Sequence, residues 1–256
     1  MHVRDLIRFY NVKPNGILHV GAHLAEENKE YRDNNWDNGK GIIWVEAQLE
    51  CVEFMKSNLD RSTNKIYHAA VWNENNIEME LNRTSKTAST SLLTFGSHST
   101  IYPEINITDK RKVKTVRLDK LLVDSDEFEL VVLDIQGAEA KAIEGLGNRI
   151  HKTKWIFMEV SKKPLYIGTM LVGELDGYLG SLGFKRVFTA WDRRAGWGDA
   201  LYARNLYLDQ TFSQNLFSKL LMTKIWFRQW IPLPLFPILV KLKRSFRYIL
   251  MKKIRS

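Results

Sequence analysis

The stretch Ile17-Leu18-His19-Val20-Gly21-Ala22-His23 sets the architecture of this 256-residue chain. Four largely apolar residues run into a glycine, and a charged segment of helix length follows over residues 26–34. The pattern then returns. Ile42-Ile43-Trp44-Val45 ends at Glu46 ahead of a helix over 50–58, and Lys65-Ile66-Tyr67-His68-Ala69-Ala70-Val71 reads as a third strand. Leu130-Val131-Val132-Leu133 ends at Asp134 ahead of a helix over 138–149, and Trp155-Ile156-Phe157-Met158 ends at Glu159. Strands that are apolar at consecutive positions are covered on both faces, and helix-length spacers supply the crossovers that parallel neighbours need. The expectation is an α/β fold: a mostly parallel sheet with helices on both faces.

Two regions depart from that rhythm. After a helix over 173–182, residues 185–189 and 203–208 read as strands separated by the turn-rich segment 191–199. That connection holds no helix, so the last two strands are expected to pair antiparallel. Earlier, Thr84-Ser85-Lys86-Thr87-Ala88-Ser89-Thr90-Ser91 lies between strand candidates at 77–81 and 113–116. A long loop inside a compact domain is often functional, so lid or substrate-site duty stands level with a plain solvated loop.

The net charge of +9 is unevenly placed. No acidic residue follows Asp209, yet ten of the 38 Lys and Arg lie beyond it, which leaves 28 against 29 acidic side chains in the rest. A nucleic-acid-binding fold carries its positive charge on the working face, so no nucleic-acid partner is expected. The chain divides into a body, residues 1–209, and a basic helical extension, residues 210–256. In the extension Phe212, Leu216, Leu220 and Leu221 recur at helical spacing, Pro232, Pro234 and Pro237 interrupt, and Ile238, Leu242, Phe246 and Ile249 form a second apolar face beside Lys241 and Arg244. Arg228, Gln229 and the prolines stop every apolar run short of the ~20 residues that span a bilayer. A basic amphipathic helix carrying Trp and Phe suits an anionic membrane surface; packing on the body or between copies in a homo-oligomer is the alternative. Cys51, the single cysteine, excludes an internal disulfide and suits a reducing compartment. Met1-His2-Val3-Arg4-Asp5 carries charge where a secretory leader is apolar. A cytoplasmic protein, peripheral at the inner face of the membrane, is the expectation.

Open parallel sheets bind ligands beyond the carboxyl ends of their strands. Those positions here are Gly21, Glu46, Ala70, Asp134 and Glu159. Gly21 and Ala22 let backbone approach a ligand closely, and Glu46 is placed to accept hydrogen bonds from both hydroxyls of an adenosine ribose. One glycine falls short of G-x-G-x-x-G, and Glu26 and Glu27 in the next turn repel a pyrophosphate. A nicotinamide oxidoreductase is therefore the weaker reading, and a generic strand-to-helix turn the plain one. A sulfonium nucleoside has no phosphate and suits acidic neighbours. His19 and His23 bracket a strand end rather than sharing a helix face, and no metal site is expected.

In order along the chain, residues 17–23, Trp44-Val45-Glu46-Ala47, Ala69-Ala70-Val71, Ser89-Thr90-Ser91-Leu92-Leu93, Leu118-Asp119, Leu133-Asp134-Ile135-Gln136-Gly137-Ala138-Glu139 and Glu159-Val160-Ser161 resemble the FkbM family of S-adenosylmethionine-dependent methyltransferases. The match covers roughly residues 15–208, and Gly196-Trp197-Gly198-Asp199-Ala200 is similar to the family's closing hairpin. The resemblance implies a class I methyltransferase (Rossmann-like) fold, S-adenosyl-L-methionine as cofactor, and O-methylation of a small-molecule or glycan acceptor, here a sugar hydroxyl of a glycan or glycolipid. It implies that His19, Gly21, Ala22 and His23 hold the methionine part and Glu46 with Ala47 the ribose. Ala70 and Val71 would border the adenine, while Asp134, Gln136 and Glu139 lie where cofactor meets acceptor, with Glu159 on the next strand end. Many relatives carry Asp in place of His19, Asn in place of His23 and Gly in place of Ala25.

Methyl transfer to a hydroxyl needs an aligned oxygen and a group to take its proton. Asp134 and Glu139 are the leading candidates, Glu159 and His23 the reserves. Glu139 has a plain alternative as a helix-dipole partner and Asp134 as a cofactor holder or cap. A non-catalytic membrane or partner-binding module on the same fold is the remaining alternative, for which His19 and Ala25 speak.

Overall fold

The computed structural model describes Tyr10, residues 12–192 and residues 195–208. The basic extension over 210–256, and every expectation placed on it, lies outside the described residues. Ten strands form in chain order: β1 Ile17–Val20, β2 Ile42–Glu46, β3 Asn64–His68, β4 Ala70–Val71, β5 Glu78–Thr84, β6 Ile107–Val116, β7 Leu130–Leu133, β8 Trp155–Ser161, β9 Phe184–Trp191 and β10 Trp197–Arg204. Among the described residues the helices are α1 Asn28–Asp33, α2 Leu49–Asn58, α3 His98–Ile101, α4 Leu118–Leu121, α5 Glu139–Leu146 and α6 Val172–Ser181. Seven of the strands make one sheet in the order β3-β2-β1-β7-β8-β10-β9. The first five of these run parallel, and β10 inserts antiparallel between β8 and β9.

Burial on both faces accounts for the consecutive apolar positions. Leu18, Val20, Ile43, Val45, Val131 and Leu133 pack with Ala142, Ile143 and Leu146 of one helix (α5, Glu139–Leu146) and with Leu175 and Leu179 of another (α6, Val172–Ser181). Side chains alternate faces along a strand, so His19 and Trp44 turn the other way. There they meet Tyr31 from the short helix Asn28–Asp33 (α1), which stacks on Trp36 and Trp44.

The register is what places the chemistry. Val20 pairs with Val45 on one side and with Leu133 on the other, and Leu133 pairs with Met158. Gly21, Glu46, Asp134 and Glu159 therefore stand at one level, at the carboxyl edge of the sheet. Asp199 of β10 pairs directly with Glu159 and joins the same level.

Several boundaries differ from the sequence reading, each for a local reason. The expected third strand breaks after His68: Ala69 donates its N–H to the Glu46 carbonyl, and Ala70–Val71 leaves to pair with Thr115 and Val116 in a second, three-stranded sheet, β4-β6-β5. β6 is longer than its apolar end because Lys110 and Lys112 reach across to Glu80 and Glu78 on β5, which holds a solvent-facing ladder that hydrophobicity cannot reveal. The helix expected over 138–149 is α5, which stops where Gly147 takes φ +52°, and continues as a 3₁₀ segment, Gly147–Lys152. The last strand is Trp197–Arg204 rather than 203–208, because the turn is confined to the residues after Asp192. Asp192 accepts the Ala195 N–H through Oδ1 and donates its own N–H to the Trp197 carbonyl.

That last pairing needs a glycine. A Cβ on Gly198 would lie 2.4 Å from the Ala190 carbonyl oxygen, so Gly198→Ala is expected to destabilise the protein by about 1–3 kcal/mol through overpacking. Gly177, exposed within α6 with nothing near its Cβ position, gives the opposite sign: Gly177→Ala is expected to stabilise by about 0.5–1 kcal/mol. Urea unfolding of the two variants checks both signs.

Candidate active site

Chain direction reverses its path between β1 and β7: one half of the sheet grows outward from β1 toward β3 and the other from β7 toward β9. Crevices open at such switch points, and here the cleft is bounded by Gly21, Glu46, Ala70, Val71 and Asp134. Gly21 takes φ +84°, and a Cβ there would lie 1.9 Å from the Asp134 carbonyl oxygen. Only glycine lets β1 turn this tightly over β7.

Glu46 is fixed by backbone. Its Oε2 accepts the His23 N–H at 2.9 Å and its Oε1 the Gln48 N–H at 2.7 Å. Burial raises its carboxyl above the ordinary range, against those two amides, which favour the charged form. Each oxygen keeps a second lone pair, and the residue borders the cleft. Ala47 lies beside it on the same wall, and Ala70 and Val71 form an apolar side. His23 and Ala25 both adopt left-handed backbone angles, φ +45° and +58°. Glycine and asparagine tolerate that region better than histidine or alanine, which gives a physical reason for the residues relatives carry there.

The hydroxyl-rich segment is an ordered wall of this cleft. Thr87 Oγ1 lies 2.9 Å from His23 Nε2, while His23 Nδ1 lies 2.7 Å from Glu26 Oε1. The Gln48 side-chain amide donates to the Thr87 carbonyl and accepts from Thr90 Oγ1, and Ser91 Oγ donates to the Gln136 carbonyl at 2.8 Å. Sequence reasoning did not single out Gln48; its position two residues past a strand-end carboxylate was the available signal.

On the other side of Asp134 lies a second hollow, bordered by His19, Glu26, Glu27, Glu159 and Asp199. His19 is buried there, its Nδ1 3.0 Å from Tyr31 Oη and its ring against Trp44. Burial pulls its imidazole down to about 4, so it is neutral near pH 7. Asp134 reaches solvent through the cleft yet is ringed by protein. Loss of hydration raises it to about 6, with Asp199, Glu27 and Glu46 adding to the rise and a hydrogen bond from Gln136 opposing it. Glu159, half-buried, is raised well above its ordinary value by burial and then by Asp134, Glu139 and Asp199.

Glu139 lies behind this turn, lining a further hollow with Glu159 and Tyr166. It is buried, and its Oε1 accepts the N–H groups of both Ile135 and Gly137 at 3.1 Å. It holds together the turn that carries Asp134 and Gln136. Among the described residues no group of three or more His, Cys, Asp or Glu has metal-holding geometry, no helix is long and apolar enough to cross a membrane, and Cys51 is a buried free thiol pushed up to about 11 by burial.

A parallel sheet in this order, with an antiparallel strand inserted next to the edge and a cleft at the switch point, is the class I methyltransferase fold. The chain belongs to the FkbM methyltransferase family: the Methyltransferase FkbM domain matches residues 19–186. Among solved structures it is similar to methyltransferase FkbM from Methylobacillus flagellatus KT, with 12% identity and a TM-score of 0.47 over 73% of this chain and 43% of that one. It is also similar to magnesium protoporphyrin IX methyltransferase from Synechocystis PCC 6803 with bound SAM, with 10% identity, TM-score 0.40, and 73% and 69% covered. For M. capricolum TrmK in complex with S-adenosyl-homocysteine the figures are 11%, 0.42, 85% and 80%. The chain thus spans less than half the length of the FkbM structure. No curated protein sequence matches it.

Burial raises Glu139 to about 7. The folded protein therefore binds this proton more tightly than the unfolded chain does. The stabilisation is complete below about pH 4 and fades as pH rises through about 7. Glu139→Gln keeps an acceptor oxygen but cannot ionise, so it is expected to remove on the order of 1–3 kcal/mol of the stability lost between about pH 4 and about pH 7. Denaturant unfolding across that range checks this; a slope equal to that of the unsubstituted protein contradicts it.

Proposed function

We propose that the chain is an S-adenosyl-L-methionine-dependent O-methyltransferase acting on a hydroxyl of a small-molecule or glycan acceptor, with a sugar hydroxyl of a glycan or glycolipid as the acceptor class that the family resemblance favours. The observation that carries the cofactor assignment is Glu46: a carboxylate at the second strand end, held by two backbone amides, bordering a cleft, with lone pairs left to accept. The residues around it fit the cofactor. Gly21 borders the cleft with no side chain of its own, Ala70 and Val71 offer an apolar surface for a purine, and Asp134, Glu159 and Asp199 supply acidic side chains suited to a cationic sulfur centre rather than to a pyrophosphate.

When bound, S-adenosylmethionine supplies a methyl group on a sulfonium sulfur. Glu46 holds the ribose, and the wall from Thr87 to Ser91 limits water in the cleft. Asp134 is the proposed base. Its carboxyl, raised to about 6, is mostly ionised at neutral pH yet basic enough to take a hydroxyl proton as the oxygen attacks. Glu139 has an oxygen committed to two backbone amides and acts in support of the turn. His23 is engaged by Glu26 and Thr87 and serves the wall.

Calorimetry tests this. S-adenosylmethionine and its demethylated product are expected to bind at micromolar concentrations while NAD does not, and Glu46→Ala is expected to weaken both by roughly 100-fold, the cost of losing hydrogen bonds to a charged acceptor. Binding of NAD in preference would revive the oxidoreductase. On the same reading, the basic amphipathic sequence over 212–256 brings the enzyme to an anionic surface. Full-length protein is expected to float with liposomes containing acidic lipid and not with neutral ones, and flotation independent of lipid charge would count against it.

A further inference from the structure

Tyr166 is almost fully buried, and its hydroxyl lies 2.5 Å from Gln136 Oε1. At the other end of the same side chain, Gln136 Nε2 donates to Asp134 Oδ1 at 2.6 Å. The direction of both bonds follows from elementary chemistry. An ionised carboxylate only accepts, so the amide must turn its NH₂ toward Asp134 and its oxygen toward Tyr166. Tyr166 must then donate, and burial pushes its hydroxyl well above the ordinary range, which keeps the proton in place. Gln136 is held from a third side by Ser91 Oγ, which donates to its carbonyl. Its backbone sits at φ +55°, a conformation unusual for a residue with a side chain. Two hydrogen bonds aim the side-chain amide, while the Ser91 bond to the main-chain carbonyl and the left-handed backbone fix the turn that carries it.

We infer that Tyr166 is a positioning residue that acts through Gln136: by fixing the amide with its N–H groups toward Asp134, it makes Asp134 face the cleft as a hydrogen-bonded carboxylate acceptor. Without the tyrosine hydroxyl the amide is free to rotate and to offer its oxygen to a protonated Asp134. The other acids facing Asp134 are Glu46 on β2, Glu27 ahead of α1, Glu159 on β8, Asp199 on β10 and Glu139 at the start of α5. All of them favour the protonated form, so the Gln136 bond is the local contact that works against them. Assigning Asp134 a catalytic task rests on the methyltransferase reading, whereas its titration does not.

The test uses ligand-free full-length protein carrying ¹³C-carboxyl aspartate, with the Asp134 signal assigned by its loss in Asp134→Asn. Tyr166→Phe is expected to raise the Asp134 midpoint by about half a unit, roughly a threefold change in proton affinity. Gln136→Met is expected to raise it further, and the double variant to match Gln136→Met alone, because the tyrosine acts only through the amide. A second readout is S-adenosylmethionine affinity. Tyr166→Phe is expected to weaken it roughly twofold near pH 6 and to leave it unchanged near pH 8. An Asp134 midpoint that does not move in Tyr166→Phe, or additive shifts in the double variant, overturns the inference. Shifted titration with no cofactor binding at any pH upholds the relay and defeats the methyltransferase reading instead.

Discussion

Everything at this site depends on the alignment of four parallel strand ends. Val20, Val45, Leu133 and Met158 occupy one row across the sheet, so the residue after each is delivered to the same edge. Backbone hydrogen bonding sets that row, and the buried apolar faces make its register strict, because a one-residue slip would turn each strand's core side chains to the opposite face. The glycine after β1 and the carboxylates at the ends of β2, β7 and β8 then become a single surface without any long-range design beyond the sheet.

The price of that surface is electrostatic. Asp134, Glu159 and Asp199 crowd one side of the crevice, with Glu27 and Glu46 near enough to be felt. Burial raises the carboxyls of Glu46, Asp134, Glu139 and Glu159, with neighbouring acids adding to the rise at the last three, and the protein counters with oriented amides: two backbone N–H groups on Glu46, two on Glu139 and one side-chain amide on Asp134. Such a basin suits a cation and opposes a phosphate. The amides of His23, Gln136 and Gly137 also rigidify it, since they belong to turns closed by residues with left-handed backbone.

Much of this is legible from residues alone. Consecutive apolar runs ending at Gly21, Glu46, Asp134 and Glu159 give the parallel sheet and the level of the site, because strand burial and strand length write themselves into hydrophobicity. What stays hidden has other causes. The break at Ala69 depends on a carbonyl of β2, and the length of β6 on cross-strand ion pairs, neither of which has a hydrophobic signature. The last strand is misplaced because Gly198 and Asp199 look like turn residues, although the glycine is there to let β9 approach. Within the site, Glu139 resembles a free acid in sequence and is committed to its own turn. Tyr166 and Gln48 reach the cleft through contacts over 30 and 39 residues of chain, which no local motif announces.

A crystal structure of the complex with S-adenosylhomocysteine measures the central claim most directly. The account predicts both ribose hydroxyls within hydrogen-bonding distance of the Glu46 carboxylate, the purine against Ala70 and Val71, and the sulfur turned toward Asp134. A nucleoside bound elsewhere, or bound in the crevice with Glu46 making no contact to it, contradicts the account.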